Sequence, residues 1–74
     1  MPSAAEVKER IETGIPGAQA DVESDDNVHF TARVVAGDFT GLSLIEQHRL
    51  VYSIFDEGEL GGTIHALALT TETQ

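Results

Sequence analysis

The spacing of apolar positions switches between helical and strand periods along the chain. Over residues 4–13, Ala4, Val7 and Ile11 fall three and four apart, which predicts a short helix with Glu9 and Glu12 facing outward. Ser3 stands three residues before Glu6, the spacing of a capping box. Gly14 falls where a left-handed C-terminal residue belongs, and Pro16-Gly17 blocks continuation. A helix this short depends on docking. Residues 19–24 then alternate, with Ala20, Val22 and Ser24 against Gln19, Asp21 and Glu23, the pattern of a half-buried strand. Asp25-Asp26-Asn27 is turn chemistry, because these side chains bond their own backbone and tolerate positive φ. Residues 29–35 alternate again, with Phe30, Ala32 and Val34 on one face and His29, Thr31 and Arg33 on the other. Two such strands around a short polar turn make a hairpin, which Gly37-Asp38 ends.

The chain is organised around residues 39–52, where a strand passes through a glycine into the longest apolar-periodic segment. Gly41 permits a sharp bend. Ser43 and Glu46 form a second capping-box pair, so a helix is predicted over residues 44–54. Its buried side is read as Leu44, Ile45, His48, Val51, Tyr52 and Phe55. Residues 56–60 form a weak helical turn interrupted by Gly58, and Gly61-Gly62 breaks the chain. A third strand follows over residues 63–69, with Ile64, Ala66 and Ala68 on one face and His65, Leu67 and Leu69 on the other. The intervening helix is the crossover that parallel pairing of strands two and three requires. The polar tail, residues 70–74, is expected to fray. The order is α-β-β-α-(short α)-β. It implies one α+β domain over residues 1–74, a three-stranded mixed sheet covered on one face by helices.

Charge changes what such a domain can bind. Thirteen acids stand against four bases, for a net charge of −9. The bases are Lys8, Arg10, Arg33 and Arg49, too few for the basic face that grips phosphates. An acidic, lysine-poor surface keeps a small domain soluble, and it also suits a salt-rich cytoplasm, where charges are screened within a few ångströms. Unfolding at low and at multimolar KCl separates the two: a halophilic chain gains stability with salt, and an indifferent one does not. The absence of cysteine excludes a disulfide, a Cys-based zinc site and a self-contained Cys-ligated cluster. No segment reads as a signal peptide or a membrane span, so the expected location is the cytoplasm.

No nucleophile–base pair, paired-carboxylate signature or phosphate-binding glycine loop is present in the sequence, and the chain is read as a non-enzyme. The three histidines are the candidates for chemistry. His48 lies among apolar helix neighbours and reads as a core or interface residue. His29 opens strand two beside the turn, and the simplest reading is a surface strand end. His65 opens strand three. If strands two and three are parallel, both begin at one edge of the sheet, which brings His29 and His65 to that edge. Two imidazoles supply part of a metal site, and a partner must supply the rest.

Phe39-x-Gly41-x-Ser43, then His48-Arg49-x-Val51-Tyr52, then Ile64-His65-Ala66-Leu67 resemble the BolA family, and Val28-His29-Phe30 fits that family's strand start. The resemblance covers nearly the whole chain. It implies a fold similar to a class II KH domain and two lines of function. In one, the protein pairs with a monothiol glutaredoxin, and the two share a [2Fe-2S] cluster with glutathione. His65 then matches the family's ligand in the His-Ala-Leu segment. A second ligand usually comes from the loop between the first two strands; Asp25-Asp26-Asn27 carries no Cys or His, so His29 is the residue that could stand in. In the other line, the protein regulates transcription through a KH-like nucleic-acid surface, here Gly41, Ser43, Gln47 and Arg49 near the second helix start. Gln47 replaces the family's usual arginine and removes one positive charge. The adaptor line is preferred over the regulator line.

Overall fold

A computed structural model describes residues 3–55 and 66–74. Helix α1, Ala4–Gly14, begins where Ser3 caps it, its hydroxyl accepting the Glu6 N–H at 3.2 Å. Val7 and Ile11 are buried on its inner face. The strands β1 (Gln19–Glu23) and β2 (His29–Ala36) form the antiparallel hairpin, with Ala20 opposite Val34 and Val22 opposite Ala32. Strand β3, Ala66–Thr73, pairs parallel to β2, so the sheet order is β1-β2-β3. This is the mixed sheet that the crossover argument requires.

The core lies between the inner sheet face and the helices. Phe30, Ala32, Val34 and Ala36 from β2 meet Val7, Ile11 and Ile15, and Phe39, Val51, Phe55 and Leu67 complete the cluster. A short 3₁₀ turn, Gly37–Phe39, carries fully buried Phe39 inward between β2 and the next helix. Helix α2, Leu44–Tyr52, starts with both halves of the capping box made: Ser43 Oγ accepts the Glu46 N–H at 3.2 Å, and Glu46 Oε1 accepts the Ser43 N–H at 3.0 Å. Gly41 precedes it at φ +82°, a conformation that costs L side chains strain.

Several expectations need correction. Leu44 and Ile45 are not on the buried side of α2; they are 61% and 64% exposed. Packing of Val51 and Phe55 into the core sets the helix phase, and that phase turns the first helical turn outward. Helix α2 proper ends at Tyr52, with turns to Phe55. Gly14 is not left-handed; α1 closes at extended Ile15, and the positive φ of +82° falls at Gly17 in the turn that follows. Gly14 instead provides space, because a Cβ there would lie 2.8 Å from Ile54 Cγ1. Glu12 does not simply face outward: its carboxylate accepts the Ala20 N–H at 3.1 Å and the Lys8 ammonium at 2.7 Å, which lowers its pKa. Residues 70–73 are strand in the structure, not an irregular tail. They continue β3 alongside Arg33, Val34, Val35 and Ala36, and Arg33 pairs with Glu72 at 2.7 Å. Polar composition concealed this strand because its outer face is exposed. The predicted turn at residues 56–60 and the first residues of the predicted third strand, including Ile64 and His65, lie outside the described residues.

Candidate functional site

The β1–β2 connection is held by its own side chains. Asn27 adopts φ 59°, which an asparagine tolerates. Its N–H donates to Ser24 Oγ at 2.9 Å, and the Ser24 hydroxyl donates to the His29 carbonyl at 2.6 Å. Asp26 does more. Its Oδ1 accepts the Val28 N–H at 3.0 Å and the His29 N–H at 2.9 Å, while its Oδ2 lies 2.7 Å from His29 Nδ1. The His29 backbone N–H, then the His29 ring, then the Val28 N–H hold the Asp26 carboxyl far below the usual carboxylate range. These hydrogen bonds favour the charged form of Asp26.

His29 is the first residue of β2, and its register partner is Ala66, the first residue of β3. The Ala66 N–H donates to the Val28 carbonyl at 3.1 Å, which fixes the two strand starts side by side. Over this end of the sheet opens a groove of about 420 Å³. Glu23, Asp25 and Asp26 contribute its acidic wall, His29 its imidazole, and Ala66 and Ala68 a small-residue stretch on β3. Residues this small leave room for a partner's atoms to approach the strand.

The sequence-predicted candidates fare differently. His29 stands at the expected sheet edge. His65 lies outside the described residues, and its chain neighbour Ala66 is the residue paired with His29. His48 is half-buried, with its ring edge-on to Tyr52 at 6.5 Å between centroids. Its Nε2 is buried with no hydrogen-bond partner among the described residues, and Tyr52 donates its hydroxyl to the Leu67 carbonyl at 3.0 Å. That is a packing role, as its apolar neighbours imply. Gly41, Ser43, Gln47 and Arg49 cluster around the start and body of α2, but the side chains of Ser43 and Gln47 serve the fold. Ser43 is used by the cap, and Gln47 donates its side-chain N–H to the Leu42 carbonyl at 3.0 Å. The Glu46 carboxylate occupies the helix N-terminus, where a phosphate would otherwise sit, and this contact lowers its pKa. Arg49 is exposed in the last turn.

Ser24 and Asp26 are the functional candidates that pattern reading passed over. The available signal was an Asp three residues before a His within a turn, a spacing from which a carboxylate reaches both backbone and ring. Among the described residues no three His, Asp or Glu side chains group as a metal site. Among the described residues no helix is long and apolar enough to cross a membrane.

A family model described as BolA-like protein matches residues 5–74. A 45-residue segment is 49% identical to human BolA-like protein 1, covering 61% of this chain and 32% of that protein. A 50-residue segment is 40% identical to the chloroplastic protein BOLA1 of Arabidopsis thaliana, covering 68% of this chain and 31% of that one. The matched segment thus spans about a third of the length of these relatives. Among solved structures, a BolA homologue from Coxiella burnetii superposes with a TM-score of 0.83 at 35% identity, over 99% of this chain and 92% of that one. The BolA domain of SufE1 from Arabidopsis thaliana gives 0.81 at 29% identity, over 99% and 94%.

Proposed function

The chain belongs to the BolA family, and from that membership we propose that it is an adaptor that pairs with a monothiol glutaredoxin and shares a [2Fe-2S] cluster with it, in cluster assembly, trafficking or iron sensing. The observation that carries this reading is the pairing of His29 with Ala66, the residue that follows His65, beneath an open groove at one end of the sheet. His65 is the principal ligand from this chain and His29 the second. The glutaredoxin cysteine and glutathione supply the thiolates that this chain lacks. When bound, the cluster supplies a centre whose presence reports iron status or which can be passed on. The adaptor positions imidazole nitrogens and offers a groove with small residues for close approach. It performs no bond-making step of its own.

The alternative, a transcription regulator that binds nucleic acid through Gly41, Ser43, Gln47 and Arg49, is less well supported. The capping carboxylate of Glu46 fills the anion position at the helix start, and the net charge of −9 repels phosphate. A titration with duplex DNA at the native salt level is expected to show no specific retention.

Mixing the chain with a monothiol glutaredoxin, glutathione, iron and sulfide is expected to give a heterodimer whose visible spectrum differs from that of the glutaredoxin alone. His65→Ala is expected to change both spectrum and affinity. A His65→Ala variant that leaves both untouched defeats the adaptor reading.

A further inference from the structure

We propose that the open edge of β3 is a self-association surface, on which a second copy of this chain adds its own β3 antiparallel across a two-fold axis at Thr71. The Ala66 N–H bonds the Val28 carbonyl in the parallel ladder. In such a ladder alternate residues turn their backbone groups toward the neighbouring strand. Ala66, Ala68, Thr70 and Glu72 therefore face β2, while Leu67, Leu69, Thr71 and Thr73 present their N–H and C=O groups to the outer edge. The Leu67 carbonyl agrees with that parity, since it accepts the Tyr52 hydroxyl from α2 at 3.0 Å. Beyond it, no bond reaches the outward groups of Leu69, Thr71 and Thr73 among the described residues. The opposite edge differs, because at β1 the Glu12 carboxylate accepts the Ala20 N–H. An unpaired strand edge is a template for another strand. Charge selects the occupant. At a net charge of −9, most of this surface repels a second copy. Strand β3 carries one charged residue, Glu72, and Arg33 pairs with it at 2.7 Å. The edge is thus locally neutral, which suits its own twin and offers nothing to a phosphate backbone. The open groups set the register. Centred on Thr71, the pairing sets Thr71 opposite its twin and Leu69 opposite the second copy's Thr73, and Leu67 stays with Tyr52. A centre at Thr70 or Leu69 would bring Leu67 into the ladder in competition with Tyr52. Thr71 Oγ1 is buried with no hydrogen-bond partner among the described residues, and a threonine directly opposite supplies one. Glu72 then faces the second copy's Thr70 and not another Glu72. The axis lies away from the strand starts at His29 and Ala66, so the inference stands apart from the adaptor reading.

Sedimentation equilibrium of the chain alone tests the proposal, at concentrations up to about 1 mM, the weak end of specific association. The mass should rise from monomer to dimer, and more readily in multimolar KCl, which screens the repulsion between two acidic copies. A monomer at every concentration and salt level overturns the proposal. Thr73→Pro removes an outward N–H and keeps the bonds to β2, and proline is tolerated on such an edge. By symmetry the variant deletes the bonds to both Leu69 carbonyls, so the dissociation constant should rise about tenfold, with Tm in dilute solution unchanged. A variant dimer as tight as the wild type overturns the proposal. The chain has no cysteine of its own, so single introduced cysteines report the register. Thr71→Cys should form an interchain disulfide under mild oxidation, because hydrogen-bonded antiparallel partners sit about 5.5 Å apart at Cα, within disulfide reach. Thr70→Cys should not, since its side chain lies on the other face, opposite Glu72. Cross-linking at residue 70 and not at residue 71 overturns the pairing. If Thr73→Pro fails to fold, the two cysteine variants decide alone.

Discussion

The β1–β2 connection and the start of α2 use the same local device for different ends. In each, an acidic side chain reaches a backbone N–H three residues away in sequence: Asp26 to His29 in one, Glu46 to Ser43 in the other. At the helix the exchange is reciprocal, because Ser43 Oγ accepts the Glu46 N–H in return. At the hairpin the carboxylate has a second oxygen to spend, and it spends it on an imidazole. The helix start is thus a structural stop, buttressed below by buried Phe39 and Val51. The hairpin turn is a fixed mount for an exposed group. Substitutions at the first should read out in folding, and those at the second in binding.

Phe39→Ala should have the largest effect. Phe39 is fully buried beneath the entry to α2. Deleting a buried phenyl ring typically costs about 3–5 kcal/mol, a large part of the roughly 4–11 kcal/mol that a domain of this length commands. Urea unfolding should show a strongly lowered midpoint, down to an unfolded chain if the wild type lies at the bottom of that range. A variant that keeps a wild-type midpoint would mean that the region beneath the helix start is not the structural half of the pair.

Ser43→Ala comes next. It removes the hydroxyl that accepts the Glu46 N–H. Loss of such a cap costs about 1 kcal/mol, or roughly 4–8 °C in Tm for a domain of this size. The glutaredoxin complex should be unaffected. Weakened cluster binding by Ser43→Ala without a fall in Tm would erase the division between the two regions.

Acid should distinguish the two carboxylates. Both Asp26 and Glu46 have pKa values lowered in the folded chain by hydrogen bonds to their charged forms. Each therefore adds stability that is present above its unfolded pKa, near 4, and is lost as pH falls through the lower folded value. Asp26 has more partners and is lowered further, so the turn should outlast the cap as pH falls. Carboxyl NMR titration should give a lower midpoint for Asp26 than for Glu46. An ordinary midpoint for Asp26 would show that the His29 contact does not persist in solution.

How much of this was legible in the sequence depends on whether the deciding interaction is local. The full capping box at Ser43, the Ser3 half of the one at α1, the bend at Gly41 and the alternating strands are set within a few residues, and each appears where its spacing indicates. Parallel pairing followed from chain topology. The outward turn of Leu44 and Ile45 was not legible, because helix phase is fixed by what Val51 and Phe55 pack against. Nor was the extension of β3 past Leu69, since Thr70 to Thr73 owe their strand state to the backbone of β2 and not to their own pattern. Gly14 looked like a cap, but the space beside it belongs to Ile54, forty residues away in sequence. At the site, His29 was legible as a strand-end residue. The part of Asp26 was not, because turn composition explains an aspartate there without requiring that it hold a ring.

His29→Ala should have the smallest effect on stability and the most informative effect on function. The side chain is 59% exposed, and surface substitutions of this kind usually stay within about 0.5 kcal/mol. Asp26 keeps its two backbone donors in the variant, so the turn should survive. The glutaredoxin complex should nevertheless lose affinity and show a shifted visible spectrum, because one of the two imidazoles offered by this chain is gone. Comparing His29→Ala with His65→Ala ranks the two ligands. If His65→Ala abolishes the altered spectrum while His29→Ala leaves it intact, the chain contributes a single ligand, and the groove beside Asp26 serves partner contact only. If both change it, the turn is a ligand mount, and the contrast with the helix start stands.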